Sequence, residues 1–326
     1  MAVDVRLWIC FVCVCLAKAD SSVELNDLGG HQGQGQKALD LDLKPEDNSW
    51  MQSLPKIERK CDGKHAASHG FTVVTALYDL GRETWPHFKR RLSTYLTYSI
   101  RLLALDVPLV VYIDERVEPF VRHFRQHFDH ITIYKVSDLS ELPYYKKYRD
   151  RMDWVMHTED FHKNNGLLTH PEGFSPEYNV LMNAKFTMLH DTVHENPFNS
   201  SYFYWLDMGY GHGQDVYPKY CDWTPKNIMD DLDRITYVAV NNVSTVRSIF
   251  QLYKQRVGPG VNGGFFGGSA QAVEDYYNLH HYVLEDFLAH NMVDDDQTIA
   301  VECFLRKPSL FNMVPGEWYD VFKLFH

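Results

Sequence analysis

Between residues 71 and 134 the chain alternates short apolar runs with stretches that repeat apolar residues every three or four positions, and this alternation limits the fold more than any other feature. Residues 71–77 are apolar and rich in β-branched side chains, which fits a buried strand. Helical spacing follows at Phe88, Leu92, Tyr95, Leu96 and Ile100. Residues 108–113 and 131–134 read as the second and third strands, with a helix over 121–128 between them. Strands separated by helices pair in parallel through right-handed crossovers, and the sheet is then covered on both faces. The expected fold class is therefore α/β, Rossmann-like, with a mainly parallel sheet flanked by helices.

The second half is less regular. Tyr178, Met182, Phe186, Leu189 and Val193 share a helical face after Pro176. Residues 201–206 form a strongly β-prone aromatic run, and 235–240 another strand. Thr224 and Pro225 read as a helix start, residues 270–288 as a helix, and an aromatic tail closes the chain. At 45% hydrophobic and 14% aromatic residues the chain has ample material for a core. Its net charge of -11, with no Lys/Arg run longer than three residues, argues against a nucleic-acid partner.

The N-terminus reads differently. Arg6 precedes an apolar run over 7–16, and Ala17 and Ala19 supply small residues at the cleavage-determining positions. This is the pattern of a signal peptide over 1–19, too short for the ~20 residues of a transmembrane span. It implies entry into the secretory pathway, with residence in the lumen or secretion. Residues 20–60 are polar and rich in Gly and Gln, as expected of a flexible stem, and the folded domain is expected over 61–326. After removal of the leader Cys61, Cys221 and Cys303 remain, and the sequons at Asn199 and Asn242 give weak further support for export.

Ligands of open parallel sheets bind at the carboxyl ends of the strands. Thr75 to Arg82, Asp114 with Glu115, and Asp207 fall there. A carboxylate ending a buried strand is a ready ligand for a hard divalent cation, and equally a helix cap or turn former. Asn262-Gly263-Gly264-Phe265-Phe266-Gly267-Gly268 brackets two aromatics with paired glycines, which permit close backbone approach to a ligand or mark a bulged strand edge. Asp294, Asp295 and Asp296 open a final helix, where they complement its dipole and can raise one another's pKa to provide a base.

In this order, residues 71–82, Tyr204 to Gly209, Asn262 to Gly268 and the Asp296-Gln297 pair resemble the HtrL/YibB family, and through it the GT-A nucleotide-diphospho-sugar transferases. The resemblance runs from about Phe71 to the C-terminus. It implies transfer of a sugar from a nucleotide-diphosphate sugar, a UDP-sugar foremost, to a glycan or other hydroxyl acceptor. Thr75, Tyr78, Arg82 and Asp114 would then hold the nucleotide, and Lys185 the nucleotide sugar. Asn262, Gly263 and Gly264 would form the sugar-contacting turn, with Gln297 beside the anomeric carbon and Asp295 or Asp296 catalytic. Asp207 would hold a divalent metal, Mn or Mg, on the diphosphate. The usual second carboxylate of Asp-x-Asp is replaced by Gly209, which sets metal use and catalysis against a non-catalytic glycan- or nucleotide-binding alternative.

His190 and His194 share a helix face and mimic a zinc-protease motif. Asp191 stands where that motif has Glu and the sequence offers no evident third ligand, so the protease reading is set aside. His123, His127 and His130, like Cys61, His65 and His69, read as solvated faces.

Overall fold

A computed structural model describes residues 70–325, apart from 167, 215, 218–223, 230, 232, 247–252 and 254–259. The expected leader and stem, and Cys61, His65, His69 and Cys221, lie outside the described residues. One seven-stranded sheet organises the rest. Its strands are β1 (Phe71–Leu77), β2 (Leu109–Ile113), β3 (Thr132–Val136), β4 (Tyr202–Leu206), β5 (Ile235–Ala239), β6 (Val261–Ser269) and β7 (Phe311–Pro315). They lie in the order β3-β2-β1-β4-β6-β5-β7. All pairings are parallel except those that β6 makes with β4 and β5. The mainly parallel α/β class expected from the alternation is the one observed.

The longer helices are α1 (Leu92–Leu103), α2 (Glu118–Arg125), α3 (Pro143–Met156), α4 (Pro176–Glu195), α5 (Ala270–Ala289) and α6 (Asp296–Arg306). Side chains of a strand alternate between faces, and each face of this sheet builds its own core. Val74, Val110, Phe203, Trp205 and Phe266 pack under α3 to α6, while Phe71, Val73, Val111, Tyr204 and Phe265 pack under α1, α2 and the tail that ends in Phe322 and Phe325.

Two local expectations change. Phe88 is not part of α1; it sits in the left-handed region at φ 54, in the loop before the helix. The glycine-rich β6 is no sheet edge, because it runs between β4 and β5. Its glycines answer close neighbours: a Cβ on Gly267 would lie 2.4 Å from Cβ of Tyr204, and one on Gly263 2.7 Å from Oδ2 of Asp296. No helix among the described residues is long and apolar enough to cross a membrane.

Candidate active site

The carboxyl ends of β2, β1 and β4 lie side by side, so the loops after them share one edge of the sheet. Asp114 follows β2 and accepts from the backbone N–H of Asp79 and of Val117, each at 3.0 Å. It fastens the loop after β1 to the turn that starts α2. Burial raises the Asp114 carboxyl above its ordinary value, and those two backbone bonds oppose the rise. Thr75 lies inside β1, fully buried, and its hydroxyl has no hydrogen-bond partner among the described residues. Tyr78 is packed into the core beneath the same loop, where burial pushes its hydroxyl up to about 12.

Gly81 turns the chain at φ 65, a conformation that favours glycine, and delivers Arg82. The Arg82 guanidinium donates to the Tyr95 hydroxyl and, at 2.9 Å, to the Phe88 carbonyl. It lies 4.9 Å over the Trp85 ring, and its Nε is buried without a hydrogen-bond partner among the described residues. Arg90 lies 5.2 Å over the ring of the same Tyr95. Sequence reasoning singled out Arg82 and missed Arg90; the signal was two arginines flanking Trp85 with one acidic residue, Glu83, among them.

The centre of the site is Lys185, which is 2% exposed and projects from α4 toward β4 and β6. Its ammonium lies 3.0 Å from Oδ1 of Asp207 and 3.0 Å from Oδ2 of Asp296, and donates to the Gly263 carbonyl at 3.1 Å. Three acceptors match its three protons. Burial works against the charge, but Asp207 and Asp296 together outweigh it and hold Lys185 above the usual lysine range.

Asp207 ends the aromatic strand as expected, and Trp205 Nε1 donates to the same Oδ1 at 2.6 Å. Its backbone N–H bonds the Gly264 carbonyl at 2.9 Å, locking the end of β4 to β6. Both ends of the Asn262 amide are used inside the protein: Oδ1 accepts from the Gly264 N–H at 2.7 Å, and Nδ2 donates to the Trp318 carbonyl. The Asp207 side chain keeps 40% of its surface exposed, so the network opens to solvent on that side.

At the other end of the network α6 begins. Asp295 caps it, accepting from the N–H of Gln297 at 3.1 Å and of Thr298 at 3.4 Å. The Gln297 amide lies 3.4 Å from the other Asp295 oxygen. Burial raises both Asp295 and Asp296 well above the carboxylate range. Asp294 adds to the rise at Asp295, whereas the Lys185 ammonium opposes it at Asp296. Asp295 and Asp207 add to the rise at Asp296.

Lys185, Asp207, Gly263 and Asp296 thus meet directly, with Asn262, Gly264, Asp295 and Gln297 next to them. Arg82 is linked to α4 through Trp85, whose ring meets that of Tyr178 edge-on at 6.4 Å between centroids. Thr75 and Tyr78 belong to β1 and its loop, one strand from Asp207, and Asp114 to β2, two strands away.

Comparison with known proteins agrees with the family that these motifs suggested. A profile of proteins described as bacterial and of unknown function, HtrL/YibB, matches residues 69–326. The chain belongs to the HtrL/YibB family. All four motifs that carried the resemblance lie within the HtrL/YibB match. Protein HtrL of Escherichia coli (strain K12) is 28% identical over 270 residues, spanning 78% of this chain and 92% of that protein. Among solved structures, mouse xyloside xylosyltransferase 1 in its apo form superposes with a TM-score of 0.42 at 12% identity, over 78% of this chain and 93% of that one. The 4-diphosphocytidyl-2C-methyl-D-erythritol synthase of Anaerococcus prevotii DSM 20548 gives 0.35 at 11% identity, over 82% and 97%.

Proposed function

We propose that this HtrL/YibB protein is a glycosyltransferase that moves a sugar from a nucleotide-diphosphate sugar to a hydroxyl acceptor. The observation that carries the reading is buried Lys185, tying Asp207 at the end of β4 to Asp296 at the start of α6 along the ligand edge of the sheet. A buried cation shared by two carboxylates is costly to assemble unless its position serves a purpose.

On Asp207 the expected divalent ion would find one protein oxygen, Oδ2, on a side chain that is 40% exposed. Oδ1 already accepts from Lys185 and Trp205, and a hard dication takes about six oxygen ligands. Position 209, where a second carboxylate would help, is glycine, set 3.7 Å and 3.8 Å from Tyr98 and Tyr95 as measured from its would-be Cβ. We assign the charge of the leaving diphosphate to Arg82 and Arg90 instead, since guanidinium groups match phosphate oxygens geometrically. Asp114 and the loop after β1 would border the nucleoside side of this edge, and Gly263 and Gly264, which lie within β6 and not in the expected turn, the sugar side.

In the transfer, the acceptor oxygen bonds to the anomeric carbon as the bond to the diphosphate breaks. The acceptor proton passes to the Asp295–Asp296 pair, whose raised pKa suits a base working near neutrality. We place the reaction in the secretory lumen on the strength of the N-terminal leader; both sequon asparagines, Asn199 and Asn242, are exposed.

A non-catalytic nucleotide-sugar binder is the second reading, favoured by Lys185 engaging both carboxylates and by the internally satisfied Asn262. Calorimetry with UDP, with and without manganese, followed by a screen of UDP-sugars for slow hydrolysis, tests both. Binding that survives EDTA, with release of UDP from one donor, is the expected result. Binding with no turnover leaves the second reading standing, and no binding at all sinks both.

A further inference from the structure

We infer that His190, His194 and Glu274 form a zinc site at the opposite end of α4 from the ligand edge. The two histidines share one face of α4, and Glu274 comes from the first turns of α5. Glu274 Oε2 lies 2.8 Å from His190 Nε2 and 3.0 Å from His194 Nε2, and the two Nε2 atoms are 3.0 Å apart. Glu274 is the third ligand that sequence reading did not find, because it lies 80 positions beyond His194.

Protons alone cannot satisfy this triangle. With both Nε2 atoms protonated, each donates to Glu274 but their hydrogens oppose one another. With one bare, its lone pair faces the carboxylate oxygen. A single cation resolves every edge at once, since all three atoms then present lone pairs to it. Zinc at its usual ~2.0–2.1 Å would open the edges to about 3.3 Å, a small adjustment for side chains at the surface.

The ligands are also oriented by residues that do not ligate. The His190 ring stacks on Tyr277, 3.8 Å between centroids and 9° between planes. Its Nδ1 is buried without a hydrogen-bond partner among the described residues, with Asp191 Oδ1 at 3.6 Å. The other Glu274 oxygen, Oε1, accepts from Asn278 at 3.0 Å, which leaves Oε2 for the ion. Glu195 is engaged by Lys135 at 2.6 Å and does not compete. Two nitrogens and one carboxylate oxygen suit zinc better than magnesium or calcium. The site clamps α4 to α5 and so steadies the helix that presents Lys185.

Its test is a zinc and cobalt titration of the metal-stripped full chain. One equivalent should be lost in His194→Ala and in Glu274→Gln, with affinity reduced at least 10- to 100-fold, and kept in Asp207→Ala. Cobalt should give the visible bands of a four-coordinate site, absent from the two variants. The His194 side chain is 63% exposed, so its loss does not endanger folding. Unchanged stoichiometry in both variants, or no equivalent in the unmutated chain, overturns the site. Neither result bears on donor binding.

Discussion

Helix α4 carries two clusters of opposite character. Lys185 lies buried at the sheet's ligand edge between two carboxylates, whereas His190 and His194, about one and a half and two and a half turns further on, meet Glu274 where solvent reaches them. Both depend on a partner far away in the chain: Asp296 is 111 positions from Lys185, and Glu274 is 84 from His190. They differ in what holds them. The Lys185–Asp296 pair is built by the core, since Trp205, Gly263 and the start of α6 enclose it, and removing either member leaves uncompensated charge in a dry place. The histidine cluster sits outside the core and is orderly without being enclosed, as fits a place for an exchangeable ion.

The largest break in that comparison comes from Lys185→Met. It strands Asp296, and with it Asp207, so stability should fall by ~3–5 kcal/mol. At about 2–4 °C per kcal/mol for a domain of this size, the melting temperature should drop by roughly 10 °C. Adding Asp207→Asn and Asp296→Asn to Lys185→Met should recover much of the loss in a denaturant titration. Failure to recover would mean that lost packing, not stranded charge, set the cost.

Asp296→Asn asks whether the network also does chemistry. Turnover of whichever UDP-sugar is hydrolysed should fall on the order of 100-fold while UDP binding stays within a few-fold. An equal loss in binding and turnover would assign Asp296 to holding the donor.

These two experiments start from residues of different legibility. The strands were readable because a buried parallel strand has to be a short apolar run, and β1, β2 and β4 are such runs. The start of α6 was readable too, because an aspartate at a helix start has a local reason to be there. Lys185 stood among the candidates only through the family resemblance. Nothing near Ala184 or Phe186 shows that its charge is buried or which carboxylates meet it. Glu274 was not legible as a site residue, because the contacts that define it are made by folding, and an exposed Glu on a helix has the same local sequence. Asn262 shows the reverse: its place was correctly marked, while its amide turns out to serve Gly264 and Trp318.

Asp295→Asn sharpens the electrostatic side. Burial, then Asp294, raises Asp295 to about 7 in the folded protein, against ~3.9 in an unfolded chain. Between those values the folded state binds a proton that the unfolded state has released, so stability falls as pH rises through the window. Asparagine keeps an oxygen for the Gln297 and Thr298 N–H groups but cannot ionise. The variant should therefore gain on the unmutated protein as pH rises from 5 to 8, by on the order of 2–3 kcal/mol. A stability gap that is the same at both pH values would show that Asp295 is ionised throughout.

The smallest effect belongs to the exposed end of α4. In metal-free buffer His194→Ala removes a half-exposed contact to Glu274 and a histidine neighbour that repels as often as it attracts. Surface pairs of this kind contribute ~0–1 kcal/mol, and part of that is returned when the crowding of His190 against His194 is relieved. The expected change in unfolding free energy is within about 0.5 kcal/mol. Addition of zinc should then separate the two proteins, because an ion that binds only the folded state stabilises it by its own mass action, and His194→Ala lacks that gain. A fall of several kcal/mol without any metal would mean that the histidine cluster is part of the core after all, and the contrast between the two ends of α4 would be lost.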